Sequence, residues 1–192
     1  MNSQAEVLRE LIDSLTTAHI RYVIGGSVAS SVIGFPRATL DTDLLVEIGR
    51  EQVASLAKSL GVHWYLDTEF AGRALANRRA FNLIHLLSGY KFDLFPAYRP
   101  FHRAELDRAI VRRLRIGEVV VTCLLATGED MILAKLHWYR DGGEASQRQW
   151  ADVVGMLTVG GDFDSQYLKK WANELGVEDL LERAIRAAAR AG

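Results

Sequence analysis

Residues 40–46 read Leu-Asp-Thr-Asp-Leu-Leu-Val, so two aspartates with one residue between them lie in a largely apolar stretch. Alternate side chains of a β-strand share a face, so Asp41 and Asp43 are predicted to point the same way, with Thr42 in the opposite layer. Two like charges at this spacing repel each other unless a cation neutralises them. Oxygen-only ligands suit magnesium or manganese, with phosphate completing the coordination shell. The plain alternative is an aspartate that caps an element or faces solvent.

A glycine turn precedes this pair. Gly25, Gly26 and Ser27 follow an apolar strand and open a short helix that is predicted to end near Gly34. Glycine allows the backbone to approach a phosphate closely, and a helix N-terminus offers unpaired N–H groups. The hydroxyl group of Ser27 adds a donor. The pattern favours a phosphate-binding turn, and the alternative is an ordinary tight turn.

A third carboxylate, Asp93, lies within Lys-Phe-Asp-Leu-Phe at residues 91–95. Phe92 and Leu94 are predicted to face one side of this strand and Asp93 the other. An unpaired carboxylate among aromatic residues is costly to bury, and a metal site or a catalytic base would explain it. The alternative is an aspartate at a sheet edge that pairs with Lys91 or an arginine.

The remaining pattern predicts an α+β fold in which the last third of the chain is helical. Strands are expected at 21–24, 39–48, 81–87, 90–95, 110–116 and 119–123, and residues 63–77 suggest a strand followed by a short helix or loop. Helices are expected at 3–18, 51–60, 127–139, 146–157, 165–175 and 178–190. The expected division is a catalytic domain over residues 1–125 and a helical region over 126–192 that closes the cleft.

Composition adds few constraints. The chain has 192 residues, of which 49% are hydrophobic, and its formal net charge is -1. The lone Cys123 can form no internal disulfide, and no targeting or membrane-spanning segment is visible, so a cytoplasmic protein without a membrane partner is expected. Arginines recur through residues 99–115, which indicates a solvated face or, alternatively, a contact with an RNA backbone.

Taken together, Gly25-Gly26-Ser27, Arg37-x-Thr39-x-Asp41-x-Asp43 and Asp93 resemble the signature of the DNA polymerase beta-like nucleotidyltransferase superfamily. The resemblance covers about residues 20–96. It implies a mixed sheet with flanking helices and metal-dependent transfer of a nucleotide from a nucleoside triphosphate to a hydroxyl acceptor, such as RNA or protein.

The helical tail resembles AbiEii-type nucleotidyltransferases, which include bacterial abortive-infection toxins, over Glu-Asp-Met-Ile-Leu-Ala-Lys-Leu at residues 129–136 with Arg148 and Asp152. This resemblance implies that Lys135 faces the nucleotide phosphates and that Asp152 lines the same cleft. It also raises a toxin role with an antitoxin-like partner. The alternatives are a solvated Lys135 and a surface pair between Arg148 and Asp152.

The expected site therefore has Asp41 and Asp43 as magnesium ligands, with Asp93 completing a second metal site or orienting the acceptor hydroxyl. The triphosphate is expected to lie against Gly25–Ser27, with its charge offset by Lys135 and Arg37. A non-catalytic protein of the same fold, which binds a nucleotide or a partner protein, is the competing interpretation.

Overall fold

The computed structural model describes residues 3–26 and 41–191. Within these ranges the strands are β1 (Arg21–Ile24), β2 (Asp41–Glu47), β3 (Trp64–Tyr65), β4 (Phe81–His85), β5 (Lys91–Pro96), β6 (Ile110–Ile116) and β7 (Val119–Leu125). The helices are α1 (Gln4–Thr17), α2 (Arg50–Leu60), α3 (Thr68–Ala76), α4 (Pro100–Arg108), α5 (Gly128–Asp141), α6 (Gln147–Val159), α7 (Ser165–Glu174) and α8 (Glu178–Ala191). The predicted short helix that ends near Gly34 lies outside the described residues.

The described chain forms two compact units, one built from residues 3–25 and 41–126 and the other from Gly26 and residues 127–191. The first unit contains a mixed sheet in the order β3-β4-β5-β2-β1-β7-β6. β2 runs parallel to β5, and β1 runs parallel to β7, while the other neighbouring strands are antiparallel. Helix α1 packs on β1, β6 and β7, and α3 packs on β4. The predicted α+β fold with a mixed sheet and flanking helices is confirmed.

Strand β2 changes character along its length, and this change positions the site. Its second half, Leu44, Leu45 and Val46, is buried residue after residue, as expected for a central strand that is covered on both faces. Its first half alternates, because Thr42 is buried at 2% exposure while Asp41 is exposed and Asp43 is half-buried. Asp41 is therefore accessible to solvent at the start of β2, and Asp43 is partly accessible.

Helix α4 was not predicted from the sequence. It begins with Pro100 at its first turn, a favoured position because proline has no N–H to leave unbonded there. Phe101 and Leu106 are buried, and Asp107 accepts a hydrogen bond from Arg21 at 2.6 Å. Part of the arginine-rich stretch therefore lies on a helix that packs beside β1.

The second unit consists, over residues 127–191, of the helices α5 to α8, as the sequence predicted for the last third of the chain. Thr127 caps α5 by accepting a hydrogen bond from the backbone N–H of Asp130 at 3.2 Å. The side chain of Asp130 is fully buried, and its Oδ1 accepts a hydrogen bond from the Tyr167 hydroxyl at 2.6 Å. This contact ties the start of α5 to α7.

Among the described residues, none of the helices combines the length and apolar character that crossing a bilayer requires. Cys123 is buried in β7, and burial raises the pKa of its thiol to about 11. It is therefore a protonated core residue at neutral pH.

Candidate active site

Strands β2 and β5 bring the three predicted carboxylates onto one face of the sheet. The two strands are parallel, and their register places Asp43 opposite Asp93 and Asp41 opposite Lys91. Residues that pair across neighbouring strands point to the same face. The neighbours that alternate with them, Thr42 and Phe92, are buried on the other side. The predicted orientation of the aspartates along both strands is confirmed.

Both carboxylate oxygens of Asp93 accept hydrogen bonds from neighbouring side chains. The amide Nδ2 of Asn82, which lies opposite Asp93 on β4, donates to Oδ1. The ammonium Nζ of Lys91 donates to Oδ2 at 3.0 Å. The Lys91 partner considered from the sequence is therefore present, and the polar face extends across β4, β5 and β2.

Lys91 places a positive charge on this face. Its hydrogen bond to Asp93 raises the pKa of the ammonium group, and the negative charges of Asp93, Asp41 and Asp43 raise that pKa further. The group is therefore firmly charged at neutral pH, and it is attracted by all three predicted metal ligands.

The glycine turn begins beside the carboxylates. The backbone N–H of Gly25 donates to the carbonyl of Asp43 at 3.0 Å, which continues the pairing of β1 and β2 by one bond. A Cβ added to Gly25 would meet no atom of the described residues within 4 Å. Gly26 has φ 59°, a left-handed conformation that favours glycine. Ser27 and Arg37, the other predicted nucleotide-binding residues of this segment, lie outside the described residues.

Lys135 and Asp152 form an ion pair inside the helical unit. Lys135 Nζ on α5 donates to Asp152 Oδ2 on α6 at 2.8 Å. The Lys135 side chain is only 11% exposed and that of Asp152 is 26% exposed. The sequence associated these two residues with one cleft, and the structure brings them together. The alternative of a solvated Lys135 is wrong, and a role for either residue toward phosphate stays a prediction.

Asp41, Asp43 and Asp93 share one face of the sheet, which we call the aspartate face. Their carboxylates offer oxygen ligands only, and such ligands fit a hard divalent cation. They are not gathered as a finished ligand set. Within residues 3–26 and 41–191, no three side chains of the His, Cys, Asp and Glu types are grouped closely enough to hold a metal ion as they stand. A cation would have to share or replace the contacts that already engage Asp93.

Sequence reasoning missed Asn82 altogether and treated Lys91 only as an alternative partner. A tight two-residue turn at Ser88-Gly89, as the sequence suggests, would place Ile84 opposite Asp93. The two strands instead join through the longer connection of residues 86–89, which shifts the register by two residues and puts Asn82 opposite Asp93. The local sequence signals therefore did not indicate Asn82.

Comparison with known proteins identifies the fold. No protein-family model matches the sequence, and no curated protein matches it significantly. Among solved structures, an antigenic nucleotidyltransferase-like protein from Paracoccidioides brasiliensis superposes with a TM-score of 0.56 at 18% identity, covering 96% of this chain and 94% of that chain. The antibiotic-resistance factor ANT(2'')-Ia superposes with a TM-score of 0.50 at 15% identity, covering 98% of this chain and 95% of that one. At these identities the similarity establishes the fold, which is nucleotidyltransferase-like.

Proposed function

We propose that this protein transfers a nucleotide from a nucleoside triphosphate to a hydroxyl acceptor, with magnesium or manganese held by Asp41, Asp43 and Asp93. One observation carries the proposal: Asp43 and Asp93 lie opposite each other on neighbouring parallel strands, with Asp41 on the same face, in a chain of nucleotidyltransferase-like fold. Three carboxylates on one open face are suited to a cation and the phosphates that accompany it.

The glycine turn supports a phosphate site next to this face. The backbone N–H of Gly25 is hydrogen-bonded to the Asp43 carbonyl, and no atom of the described residues lies within 4 Å of a Cβ added to Gly25. In the proposal, the triphosphate lies along Gly25, Gly26 and Ser27. Arg37 and Lys135 offset its negative charge, as the resemblance implies.

In the proposed reaction the acceptor oxygen attacks the α-phosphorus, and the bond from that phosphorus to the α–β bridging oxygen breaks. Pyrophosphate leaves, and the hydroxyl proton passes to a carboxylate of the cluster. Asp93 is placed either to complete a second metal site or to orient the acceptor hydroxyl. The bound cation would supply stabilisation of the negative charge on the attacking and leaving oxygens.

The finer features of the proposal come from the sequence resemblance. They are an AbiEii-type bacterial protein in the cytoplasm, RNA or protein as the acceptor, and a toxin role with an antitoxin-like partner. Transfer itself does not depend on the toxin role.

One observation favours the competing function, a protein of this fold that binds a nucleotide or partner without transferring it. Both oxygens of Asp93 are already engaged by Asn82 and Lys91, as a purely structural carboxylate would be. Nucleotide binding without transfer, across RNA and protein acceptors, would establish this alternative.

The metal site is tested by thermal unfolding of the wild type and of Asp43→Ala, each with and without magnesium and a nucleoside triphosphate. A hundredfold excess of ligand over its Kd stabilises the wild type by about 2.7 kcal/mol, and a protein of this size gains about 2–4 °C per kcal/mol. The wild-type melting temperature should therefore rise by about 5–10 °C. Asp43→Ala should remain folded, because a like-charge repulsion is removed, and should lose most of this rise.

Asp162→Ala is the matched control, since Asp162 is exposed in the loop before α7. It should keep the full ligand-induced rise. A rise in Asp43→Ala as large as in the control would rule out the proposed metal site.

A further inference from the structure

Lys91 occupies a distinctive position on the aspartate face. It lies opposite Asp41 in the pairing of β2 and β5, and it precedes Asp93 by two residues on the same strand. All three side chains therefore share one face. The Lys91 side chain is 41% exposed, whereas the Asp93 carboxylate that accepts its hydrogen bond is only 18% exposed. The ammonium group thus contacts the Asp93 carboxylate on the face that also carries Asp41, and it remains accessible from solvent.

The second observation concerns the electrostatic attraction between Lys91 and the three aspartates. Its ammonium group is hydrogen-bonded to Asp93 at 3.0 Å and shares a sheet face with Asp41 and Asp43, whose negative charges attract it at longer range. One positive charge therefore offsets part of the repulsion among three negative charges. A divalent cation bound to these carboxylates would likewise reduce the repulsion among them.

We propose that Lys91 is an internal counter-cation, whose ammonium group holds the place of the divalent metal among Asp41, Asp43 and Asp93 and must be displaced for the metal to bind. The inference rests on the proposed metal site. An ammonium group and a dication on the same Asp93 oxygen repel each other, so metal binding there opposes the Lys91 contact. Asn82, which is neutral, can remain on Oδ1.

Two consequences follow from this competition. The three carboxylates avoid the full cost of mutual repulsion when metal is absent, so the face can be stable without a bound ion. Metal binding is weaker than the carboxylates alone would give, because releasing the ammonium group opposes it. Lys91 therefore sets the metal concentration at which the site fills.

The test is a titration with Mn²⁺ alone, followed by the electron paramagnetic resonance signal of the free ion. Lys91→Met should bind Mn²⁺ roughly 1.5- to fivefold more tightly than the wild type, the range that corresponds to losing a partly exposed ion pair. Lys91→Arg keeps the positive charge and should stay near the wild-type affinity. Lys58→Met, which removes an exposed lysine of α2, should leave the affinity unchanged.

Lys91 is a partly exposed strand residue, so Lys91→Met is expected to fold, and Lys91→Gln provides a second neutral variant of different polarity. An Mn²⁺ affinity in both neutral variants that equals or falls below the wild-type value would overturn the role of Lys91.

Asp43→Ala, made in the wild-type and Lys91→Met backgrounds, tests the metal site separately from the counter-cation role of Lys91. If Asp43→Ala abolishes Mn²⁺ binding while Lys91→Met leaves it unchanged, the metal site stands and only the counter-cation role is lost. If Mn²⁺ binding survives Asp43→Ala, or if neither the wild type nor Lys91→Met binds Mn²⁺, the metal site and the role of Lys91 both fail.

Discussion

At the scale of single residues, the ion pair of Lys135 and Asp152 offsets the free-energy cost of removing a charged side chain from water. Lys135 is almost fully buried on α5, where an unpaired ammonium group would be strongly unfavourable. Asp152 on α6 provides the partner at 2.8 Å. The pair therefore joins two helices, and it also fixes where the Lys135 ammonium group lies.

Substituting Lys135 tests two roles of its ammonium group, the ion pair with Asp152 and the predicted contact with phosphate. Lys135→Met leaves Asp152 partly buried without its donor, so the free energy of unfolding in urea should fall by about 1–2 kcal/mol. If Lys135 also contacts phosphate, triphosphate binding should weaken much more than nucleoside binding in isothermal titration. Lys169→Met, at an exposed position of α7, is the matched control.

Equal weakening of triphosphate and nucleoside binding would return Lys135 to a structural role. An unchanged unfolding free energy would contradict the ion pair itself. Asp152→Asn helps to separate the two roles, because it keeps Lys135 in place while reducing the charge of its partner.

The sequence predicted residue orientation better than residue pairing. The two-residue period of a strand was sufficient to put Asp41, Asp43 and Asp93 opposite their buried neighbours. The contacts of Asp93 with Asn82, and of Lys135 with Asp152, depend on strand register and on helix packing. Neither is encoded in local periodicity, and a resemblance alone brought Lys135 and Asp152 into the same hypothesis.

At the scale of helices and strands, local signals marked most of the boundaries. The capping box of Ser3 and Glu6 begins α1, and Thr127 and Ser146 cap α5 and α6. Helix α4 was not predicted because its many charged residues leave only a short apolar face, which gives a weak helical pattern. Pro100 was the available signal for the start of the helix.

The start of α5 should depend on its contact with α7. Tyr167→Phe removes the hydroxyl that donates to the fully buried Asp130, so it should lower the free energy of unfolding by about 1–3 kcal/mol. Tyr65→Phe, at a residue of β3 that is 52% exposed, should change it by less than about 0.5 kcal/mol. Urea unfolding of both variants measures the difference, and equal effects would contradict a stabilising role for the Tyr167 hydroxyl.

At the scale of the whole molecule, the order of the strands places the site. β2 and β5 are distant in sequence, yet they are parallel neighbours, with β4 and β1 on either side. The sequence predicted a mixed sheet and helices, but it contained no local signal for this order, because strand order depends on packing between distant segments. The predicted role of the helical region in closing the cleft stays a prediction.

The central claim is that the aspartate face directs attack at the α-phosphorus, and labelled transfer tests it most directly. A nucleoside triphosphate labelled at either the α- or the γ-phosphate is offered with magnesium, using bulk tRNA or cell extract as the acceptor. Label should reach the acceptor only from the α-position, and Asp41→Ala should abolish the transfer while Asp162→Ala should not. Transfer from the γ-position alone, or α-transfer that survives Asp41→Ala, would contradict the proposed reaction.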